Sequence, residues 1–246
     1  MRLAGKTAIV TGGASGFGAG IVRKFAEEGA NVMVADLNMD LARDVAAEVG
    51  GIAQQVDVSK DADVAAMVAA ARAQMGDIDI LVNNAGITHL PKPMEEVTED
   101  EFDRVWAVNC KSVYLTAKHA VPLMKAAGKG AVLNVASTAG LSPRPNLNWY
   151  NSSKGWMITA TKTMAVELAP AGIRVNAICP VAGETPLLTS FMGEDTPEIR
   201  AKFLSTIPIG RFSTPEDMGN AACFLCSDEA GMVTGVAMEV DGGRCI

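Results

Sequence analysis

The sequence predicts an α/β fold in which a doubly wound parallel sheet of about seven strands is covered by helices on both faces. Two observations lead to this fold class. Short β-branched runs alternate with longer stretches whose apolar residues recur at helical spacing, and a glycine-rich loop joins the first strand to the first helix. Right-handed crossovers between successive strands then place helices on both faces of one sheet.

Each element is predicted from its local pattern, in chain order. The strands are predicted at residues 7–11, 31–35, 52–56, 78–82, 131–135, 174–178 and 236–240. The helices are predicted at residues 16–28, 39–49, 61–75, 99–125, 149–168, 197–204 and 215–226, the fourth with a break near Asn109. No repeat or change of composition divides the chain, so residues 1–246 are expected to form a single domain.

The composition fits a globular protein with a large core, since 49% of the 246 residues are hydrophobic and 20% are charged. The formal net charge of −7 offers no basic excess, which argues against nucleic-acid binding. No apolar stretch is long enough to span a membrane, and no secretory leader precedes the first strand. We therefore expect a cytoplasmic protein with neither a nucleic-acid nor a membrane partner.

The five cysteines are scattered and odd in number, which argues against a disulfide framework. Cys223 and Cys226 form a C-x-x-C pair that would suit a redox site or half of a zinc site. No second pair accompanies them, and the chain has only 2 histidines. We interpret both as small apolar residues of a helix and expect no metal site.

A glycine-rich loop, Thr11-Gly-Gly-Ala-Ser-Gly-Phe-Gly18, follows the first strand and opens the first helix. Glycines allow a tight turn and a close backbone approach to a pyrophosphate, and the first helical amides then face the anion. The same loop could be an ordinary turn, but its place between a strand and a helix favours a phosphate-binding role.

Asp36 closes the second strand, where a carboxylate can accept hydrogen bonds from the ribose hydroxyls of a dinucleotide. The same carboxylate would repel the 2′-phosphate of NADP. Its neighbour Leu37 is neutral, and the glycine loop contains no lysine or arginine. The sequence therefore predicts NAD as the cofactor, against the alternative of an aspartate that only ends a strand.

Tyr150 and Lys154 lie four residues apart on a predicted helix, so their side chains share one face. A tyrosine has an ordinary pKa of about 10, which makes it a poor base at neutral pH. A nearby lysine cation stabilises the phenolate and lowers that pKa, as general acid–base catalysis requires. Ser137 follows the fifth strand; it and Asn109 are the other catalytic candidates, although each residue alone could be structural.

In these motifs the chain resembles the short-chain dehydrogenase/reductase family, in its NAD-dependent branch of about 250 residues. The resemblance covers nearly the whole chain. It is carried by residues 11–18, Asp57, Val58, the Asn-Asn-Ala-Gly of residues 83–86, Asn109, Ser137, Tyr150, Lys154 and residues 180–185.

The resemblance implies a Rossmann-type domain that transfers a hydride between NAD(H) and a secondary alcohol or ketone. Tyr150 would exchange a proton with the substrate oxygen, Ser137 would orient that oxygen, and Lys154 would bind the nicotinamide ribose. Asn109 would hold a water at a kink in its helix. The implied cofactor-binding residues are Gly12, Ser15, Gly16, Phe17, Gly18, Asp36, Leu37, Asp57, Val58, Asn84, Ala85, Gly86, Tyr150, Lys154, Pro180, Gly183 and Thr185.

One departure from the family pattern follows the sixth strand. Many relatives have Pro-Gly at that point, whereas this chain has Pro180-Val181-Ala182 before Gly183. The distance to Thr185 is kept, so the nicotinamide carboxamide site is expected to survive. The resemblance also implies a homotetramer.

The substrate residues are predicted in residues 88–97, 141–149 and 186–208, with Arg144, Trp149, Leu187 and Met192 as candidates. Arg144 could bind a substrate anion, although a solvated loop arginine is favoured. His89 is expected on the surface. Residues 181–214 are irregular enough to suit a substrate-binding lid, and packing of their apolar residues onto the sheet is an equal alternative.

Two alternative functions stay open. One is a reductase of 3-oxoacyl thioesters on an acyl carrier protein, although such relatives usually use NADPH. The other is a catalytically silent NAD-sensing or scaffold protein, although such a protein could lose Ser137, Tyr150 or Lys154, and all three are present.

Overall fold

The structure, a computed structural model, describes residues Met1–Ile246, and its centre is one sheet of seven parallel strands. The strands are β1 (Thr7–Thr11), β2 (Asn31–Asp36), β3 (Ile52–Gln55), β4 (Ile80–Asn83), β5 (Gly130–Val135), β6 (Ile173–Pro180) and β7 (Ala237–Val240). They lie in the order β3-β2-β1-β4-β5-β6-β7, so the chain winds outward from β1 and then outward again from β4. The predicted doubly wound sheet is confirmed.

The helices that cover the sheet begin and end close to their predicted bounds. They are α1 (Gly16–Glu27), α2 (Met39–Val49), α3 (Asp61–Met75), α4 (Glu99–Trp106), α5 (Ser112–Ala127), α6 (Asn148–Leu168), α7 (Leu188–Met192), α8 (Pro197–Leu204) and α9 (Pro215–Cys226). The break predicted near Asn109 is a π-helical turn, Ala107–Lys111, which joins α4 to α5. No helix combines the length and the apolar composition needed to cross a bilayer.

Two apolar clusters hold the layers together, one on each face of the sheet. Helices α1 and α9 pack on one face, and α3, α5 and α6 pack on the other. α1 and α9 cross without intervening side chains, because a Cβ on Gly219 would lie 2.8 Å from the carbonyl oxygen of Gly20. Cys223 and Cys226 are buried free thiols in the first cluster, as expected of apolar helix residues.

The loops at the carboxyl ends of the strands meet along one edge of the sheet, where parallel α/β proteins bind ligands. Residues 181–214 lie over the β6 end of this edge and contain α7 and α8. Their inward side chains form a separate cluster of Val181, Leu188, Met192, Ile207 and Phe212. Packing onto the body therefore accounts for part of this segment, while several of its apolar residues, Val181 and Ile207 among them, also line a cavity.

Candidate active site

An open cavity of about 420 Å³ follows the carboxyl edge of the sheet. The strand order determines the spatial order of the residues along its wall. Asp57 follows β3, Asp36 ends β2, the glycine loop follows β1, and Asn84 follows β4. Ser137 and Pro180 continue the wall at the ends of β5 and β6. The far wall comes from residues 181–214 and from Arg244 near the end of the chain.

The glycine loop is shaped for a group that approaches its backbone. Gly12 has a φ of +62°, and a Cβ there would lie 2.9 Å from the Cα of Ala85. A Cβ on Gly18 would overlap the carbonyl oxygen of Gly12. Ser15, Gly16 and Phe17, at the start of α1, line the cavity. The Ser15 side chain makes no capping bond and the first turn of α1 contains no acidic residue, so the partial positive charge of this helix end is not neutralised by the protein. These features fit a phosphate-bearing ligand.

Asn84 fastens the glycine loop to the end of β4. Its Nδ2 donates to the carbonyl oxygens of Thr11 and Gly12 at 3.0 and 2.9 Å. The hydroxyl of Thr11 accepts from the backbone N–H of Asn84 at 3.1 Å and donates to the carbonyl of Val82. The Asn84 side chain therefore supports the loop, and its backbone lines the cavity with Ala85 and Gly86.

Two carboxylates lie at the β2–β3 end of the cavity. Asp36 accepts from the backbone N–H groups of Ala14 and Asn38 at 3.1 and 3.0 Å, which fixes it beside the exposed Leu37. Asp57 accepts from both Ser59 donors, and these bonds hold the pKa of its carboxyl below the ordinary value. The basic residues of the wall are Arg144, Lys154 and Arg244, and all three lie after β5 in the chain, with Lys154 on α6.

Tyr150, Lys154 and Ser137 converge at the β5 end of the cavity. The Lys154 ammonium lies 5.9 Å from the centre of the Tyr150 ring and donates to the carbonyl of Val135 at 2.8 Å. Phe191 covers the tyrosine, with ring centres 5.1 Å apart. Only 5% of Tyr150 and 4% of Lys154 is exposed, so water is largely excluded from the pair.

Burial controls the titration of this pair. It raises the pKa of Tyr150 to about 12, an effect that hydrogen bonding by Ser137 and the charge of Arg144 partly oppose. It lowers the pKa of Lys154 to about 8 because no carboxylate lies beside the ammonium. In the protein alone the net pKa of Tyr150 is therefore raised and not lowered as expected, because loss of hydration outweighs the nearby charges.

Asn109 lies behind this group and does not line the cavity. Its Oδ1 accepts from the N–H of Ile87, and its Nδ2 donates to the carbonyl of Ile87, both at 2.9 Å. Nδ2 also donates to Ser153, whose hydroxyl donates to the carbonyl of Tyr150. The Lys154 ammonium and the Asn109 Oδ1 both come within 3.5 Å of where a Cβ on Gly86 would lie.

The predicted substrate residues divide into two groups. Arg144 and Leu187 line the cavity, whereas Trp149 and Met192 do not. Trp149 packs edge-on against Phe102 and donates to the carbonyl of Met94, so its ring faces α4 instead. Met192 is turned into the cluster beneath α7, where apolar packing holds it.

Three further placements differ from expectation. Arg144 lies in the cavity wall rather than in solvent, stacked 4.4 Å from the centre of the Phe203 ring. His89 is 3% exposed because its ring turns inward and hydrogen-bonds the carbonyl of Leu90. Gly18 is required by the shape of the loop but does not itself line the cavity.

Several wall residues are not among the four substrate candidates predicted from the sequence. Phe191, Phe203, Ile207 and Arg244 all face the cavity. The first three lie within the segment predicted to contact substrate, so that segment was the available signal. Arg244 follows the last strand, and no local pattern marks it.

Comparisons with known proteins agree with this geometry. A family model described as enoyl-(acyl carrier protein) reductase matches residues 12–244. The 4-formylbenzenesulfonate dehydrogenase of Comamonas testosteroni is 53% identical over 252 residues, with 100% of both chains covered. The chain belongs to the short-chain dehydrogenase/reductase family. It is an oxidoreductase.

Other members of the short-chain dehydrogenase/reductase family extend the comparison. The 2,5-dichloro-2,5-cyclohexadiene-1,4-diol dehydrogenase of Sphingobium indicum is 38% identical, covering 98% of this chain and 97% of that one. A 3-ketoacyl-(acyl-carrier-protein) reductase from Brucella melitensis, whose crystal structure contains NADH, is 50% identical in sequence to this chain. The two structures superpose with a TM-score of 0.95. That comparison covers 99% of this chain and 100% of the other.

The family departure at Val181 and Ala182 leaves the following turn anchored. The carbonyl of Ala182 accepts from the N–H of Ser213 at 3.2 Å, and a Cβ on Gly183 would lie 2.9 Å from the carbonyl oxygen of Ser213. The next turn brings Thr185 to the glycine loop, where its Cβ lies 3.1 Å from the position of a Cβ on Gly16. The departure at Val181 and Ala182 therefore does not displace Thr185 from the cavity.

Proposed function

We propose that this protein is an NAD-dependent alcohol dehydrogenase/ketone reductase that transfers a hydride between NAD(H) and a secondary alcohol or ketone. The observation that carries the proposal is the convergence of Ser137, Tyr150 and Lys154 in the cavity that also contains the glycine loop. Dehydrogenases of a formylbenzenesulfonate and of a cyclic diol among the relatives support an oxidoreductase of small alcohols or carbonyl compounds.

The chain's own groups supply binding, orientation and proton transfer. In the oxidation direction, Tyr150 as phenolate accepts the hydroxyl proton of the alcohol, and in the reduction direction its phenol returns it. Ser137, whose hydroxyl accepts from the N–H of Ala139 at 3.1 Å, is positioned to donate to the reacting oxygen. Lys154 provides a buried cation that stabilises the phenolate, and Asn109 acts through its hydrogen bonds to Ile87 and Ser153 as a positioning residue.

The cofactor supplies the two-electron acceptor or donor when it is bound. The residues that would hold it are Gly12, Ser15, Gly16, Phe17, Asp36, Leu37, Asp57, Val58, Asn84, Ala85, Gly86, Pro180, Gly183 and Thr185, all of which line the cavity. Asp36 supports NAD over NADP, because no lysine or arginine of the wall lies on its loop to neutralise a 2′-phosphate.

A second candidate function is reduction of 3-oxoacyl thioesters, which is favoured by the name of the Brucella relative. Asp36 and the net charge of −7 weigh against it, because such a reductase must meet an acidic carrier protein and usually uses NADPH.

We also propose that residues 1–246 work as one domain, with residues 181–214 as the substrate-binding lid. Assembly as a homotetramer in the cytoplasm is part of the proposal. Large apolar side chains on α5 and α6 support assembly, since Tyr114 is 57% and Val166 is 78% exposed. Size-exclusion chromatography with light scattering would test it, and a monomer at micromolar concentration would contradict it.

The deciding experiment follows reduced nicotinamide by its absorbance with either dinucleotide and a panel of secondary alcohols. NADH formation by the wild type that is lost in Tyr150→Phe would support the proposal. Equal rates with NADP would overturn the interpretation of Asp36. Tight NAD binding without turnover of any alcohol, ketone or 3-oxoacyl thioester would favour a sensor.

A further inference from the structure

Two arginines at the reaction end of the cavity have no partner in the protein. The guanidinium groups of Arg144 and Arg244 donate no hydrogen bond and form no salt bridge, although both residues line the cavity. Apart from the exposed Arg104, the remaining arginines bind carboxylates or backbone carbonyls. They are Arg2, Arg23, Arg43, Arg72, Arg174, Arg200 and Arg211.

Arg144 is held in place although its charge is unpaired. Its carbonyl accepts from Nδ2 of the buried Asn151 at 2.7 Å, and prolines flank it on both sides. The guanidinium lies over the Phe203 ring, a geometry that arginine adopts through cation–π attraction. The ring leaves the edge of the guanidinium, with its N–H donors, free for another acceptor.

Arg244 reaches the cavity from the tail that follows β7. The carboxylate of Asp241 accepts from the N–H groups of Gly243 and Cys245 at 2.9 and 2.8 Å, which tightens the tail into a turn. The N–H of Ile209 donates to the carbonyl of Gly242 at 3.1 Å, so the turn is fastened to residues 181–214. Arg244 is therefore carried by an ordered segment.

The two cations act on each other and on the catalytic tyrosine. Burial lowers the pKa of Arg144, and the charge of Arg244 lowers it further. The Arg144 charge in turn opposes the rise of the Tyr150 pKa. Two half-buried like charges without a counter-ion are unfavourable, and an anion placed between them would remove this cost.

The cofactor pyrophosphate is not a suitable anion for this position. The glycine loop follows β1, whereas Arg144 lies in the loop after β5, and β4 separates these strands. The loops after β1 and β5 are therefore two strand spacings apart, which is roughly 10 Å. The wall includes the apolar side chains of Leu187, Phe191, Phe203 and Ile207, which suit an apolar body rather than a second phosphate.

We propose that Arg144 and Arg244 form an anion subsite, and that the substrate is a small alcohol or ketone whose apolar body carries a carboxylate or sulfonate. This inference rests on the proposed dehydrogenase function and names its substrate class. The oxyanion accepts hydrogen bonds from both guanidinium groups, while the reacting oxygen lies at Tyr150 and Ser137.

A binding experiment tests the subsite without turnover. Benzenesulfonate and its neutral isostere benzenesulfonamide are titrated into the NAD-loaded enzyme by calorimetry, and benzoate and benzamide form a second pair for the carboxylate. We expect the preferred anion to bind at least about 10-fold more tightly than its amide, as a charge-assisted hydrogen bond allows. Equal affinities within both pairs would overturn the subsite.

Variants connect this preference to the two side chains. Arg144→Met and Arg244→Met should each reduce the anion preference about threefold, and the double variant should abolish it. Arg43→Met is the matched control, because Arg43 has the same charge, is 63% exposed and lies outside the cavity. An undiminished preference in Arg144→Met would overturn the inference, as would a 10-fold loss of NAD affinity in either cavity variant, which would assign the arginines to the cofactor.

A kinetic experiment tests the anion subsite and the proposed dehydrogenase function separately. The substrates are 4-(1-hydroxyethyl)benzenesulfonate and the corresponding sulfonamide, and the ratio of their kcat/KM values is compared between the wild type and the variants. A high ratio in the wild type that falls in both cavity variants supports subsite and function together. Similar turnover of both substrates would overturn the subsite and leave the dehydrogenase function intact. Tight, arginine-dependent binding of benzenesulfonate with no turnover of any alcohol would overturn the function and leave the subsite intact.

Discussion

The two ends of the cavity are built in different ways. At the cofactor end, the ends of β1 and β4 are joined by the bonds of Thr11 and Asn84, and the glycine loop leaves no room for side chains. At the substrate end, the wall is assembled from residues 181–214 and from Arg244, which come from distant parts of the chain. The shape of the cofactor end is determined by backbone geometry, whereas the shape of the substrate end is determined by the identity of its side chains. Substitutions at the two ends should therefore change different measured quantities.

Tyr150→Phe should have the largest effect, and it should fall on the chemical step. Loss of the phenol hydroxyl removes the proton donor and acceptor, and kcat should drop by about 10³-fold, within the range of general acid–base catalysis. The NAD dissociation constant, measured by fluorescence titration, should change less than about twofold because the glycine loop is untouched. Unaltered kcat would remove Tyr150 from the reaction.

Gly18→Ala should act at the cofactor end alone. The new methyl group overlaps the carbonyl oxygen of Gly12, so the loop must open. We expect NAD to bind at least about 10-fold more weakly, because the helix amides no longer meet the pyrophosphate together. Gly155→Ala is the matched control, since a Cβ there would meet only the carbonyl oxygen of Gly140, at 3.8 Å. Equal NAD affinity of both variants would contradict the proposed phosphate-binding role.

Asp36→Ser should moderately shift the preference of the enzyme from NAD toward NADP. Removal of the carboxylate relieves repulsion of the 2′-phosphate and weakens the ribose contact. The ratio of kcat/KM for NADP to that for NAD should rise about 10-fold, as expected when one charged hydrogen bond is exchanged. Initial rates with each dinucleotide at a fixed alcohol concentration provide the measurement, and an unchanged ratio would show that Asp36 does not select the cofactor.

Lys154→Met should have an effect of the opposite sign on folding, because it should stabilise the protein. The buried ammonium costs stability below its folded pKa of about 8, and this cost is relieved as pH rises toward the unfolded value. At pH 7 the cost is up to about 3 kcal/mol, and loss of the bond to Val135 offsets about 1 kcal/mol of the gain.

Urea unfolding of wild type and Lys154→Met between about pH 7 and pH 9 measures this difference. The advantage of the variant should shrink with rising pH, because the wild-type lysine then loses its proton in the folded state. The exposed Lys162 on α6, replaced in the same way, is the control. A variant that is less stable than the wild type at pH 7 would show that hydrogen bonding outweighs desolvation at this site.

Local sequence patterns are enough to predict the strands, the helices and the cofactor end of the cavity. The glycine loop, Asp36 and the Tyr150–Lys154 spacing each lie within one strand–loop–helix unit, where sequence distance and spatial distance agree. The substrate end was predicted less well. Trp149 was placed in the pocket by its position next to Tyr150, but a helix turns neighbouring side chains about 100° apart. Arg244 depends on the fold of a tail for which the sequence has no periodic signal.

The pKa of Tyr150 shows a different limit. Spacing on a helix reveals that Lys154 is near, but it does not reveal how completely the tyrosine is buried. Desolvation depends on Phe191 and on the loops that cover it, so the direction of the pKa change required the three-dimensional structure.

The π-helical turn at Ala107–Lys111 makes the length of this region less tolerant of change than its composition. Removal of one residue from this turn would restore ordinary α-helical geometry, and the widened turn that carries Asn109 would be lost. Asn109 could then no longer meet Ile87 while Thr116 kept its 2.8 Å bond to Asn83. A single-residue deletion here should therefore abolish activity even where the side chains around Asn109 can be exchanged, and among homologous genes this helix should vary by substitution and not by length.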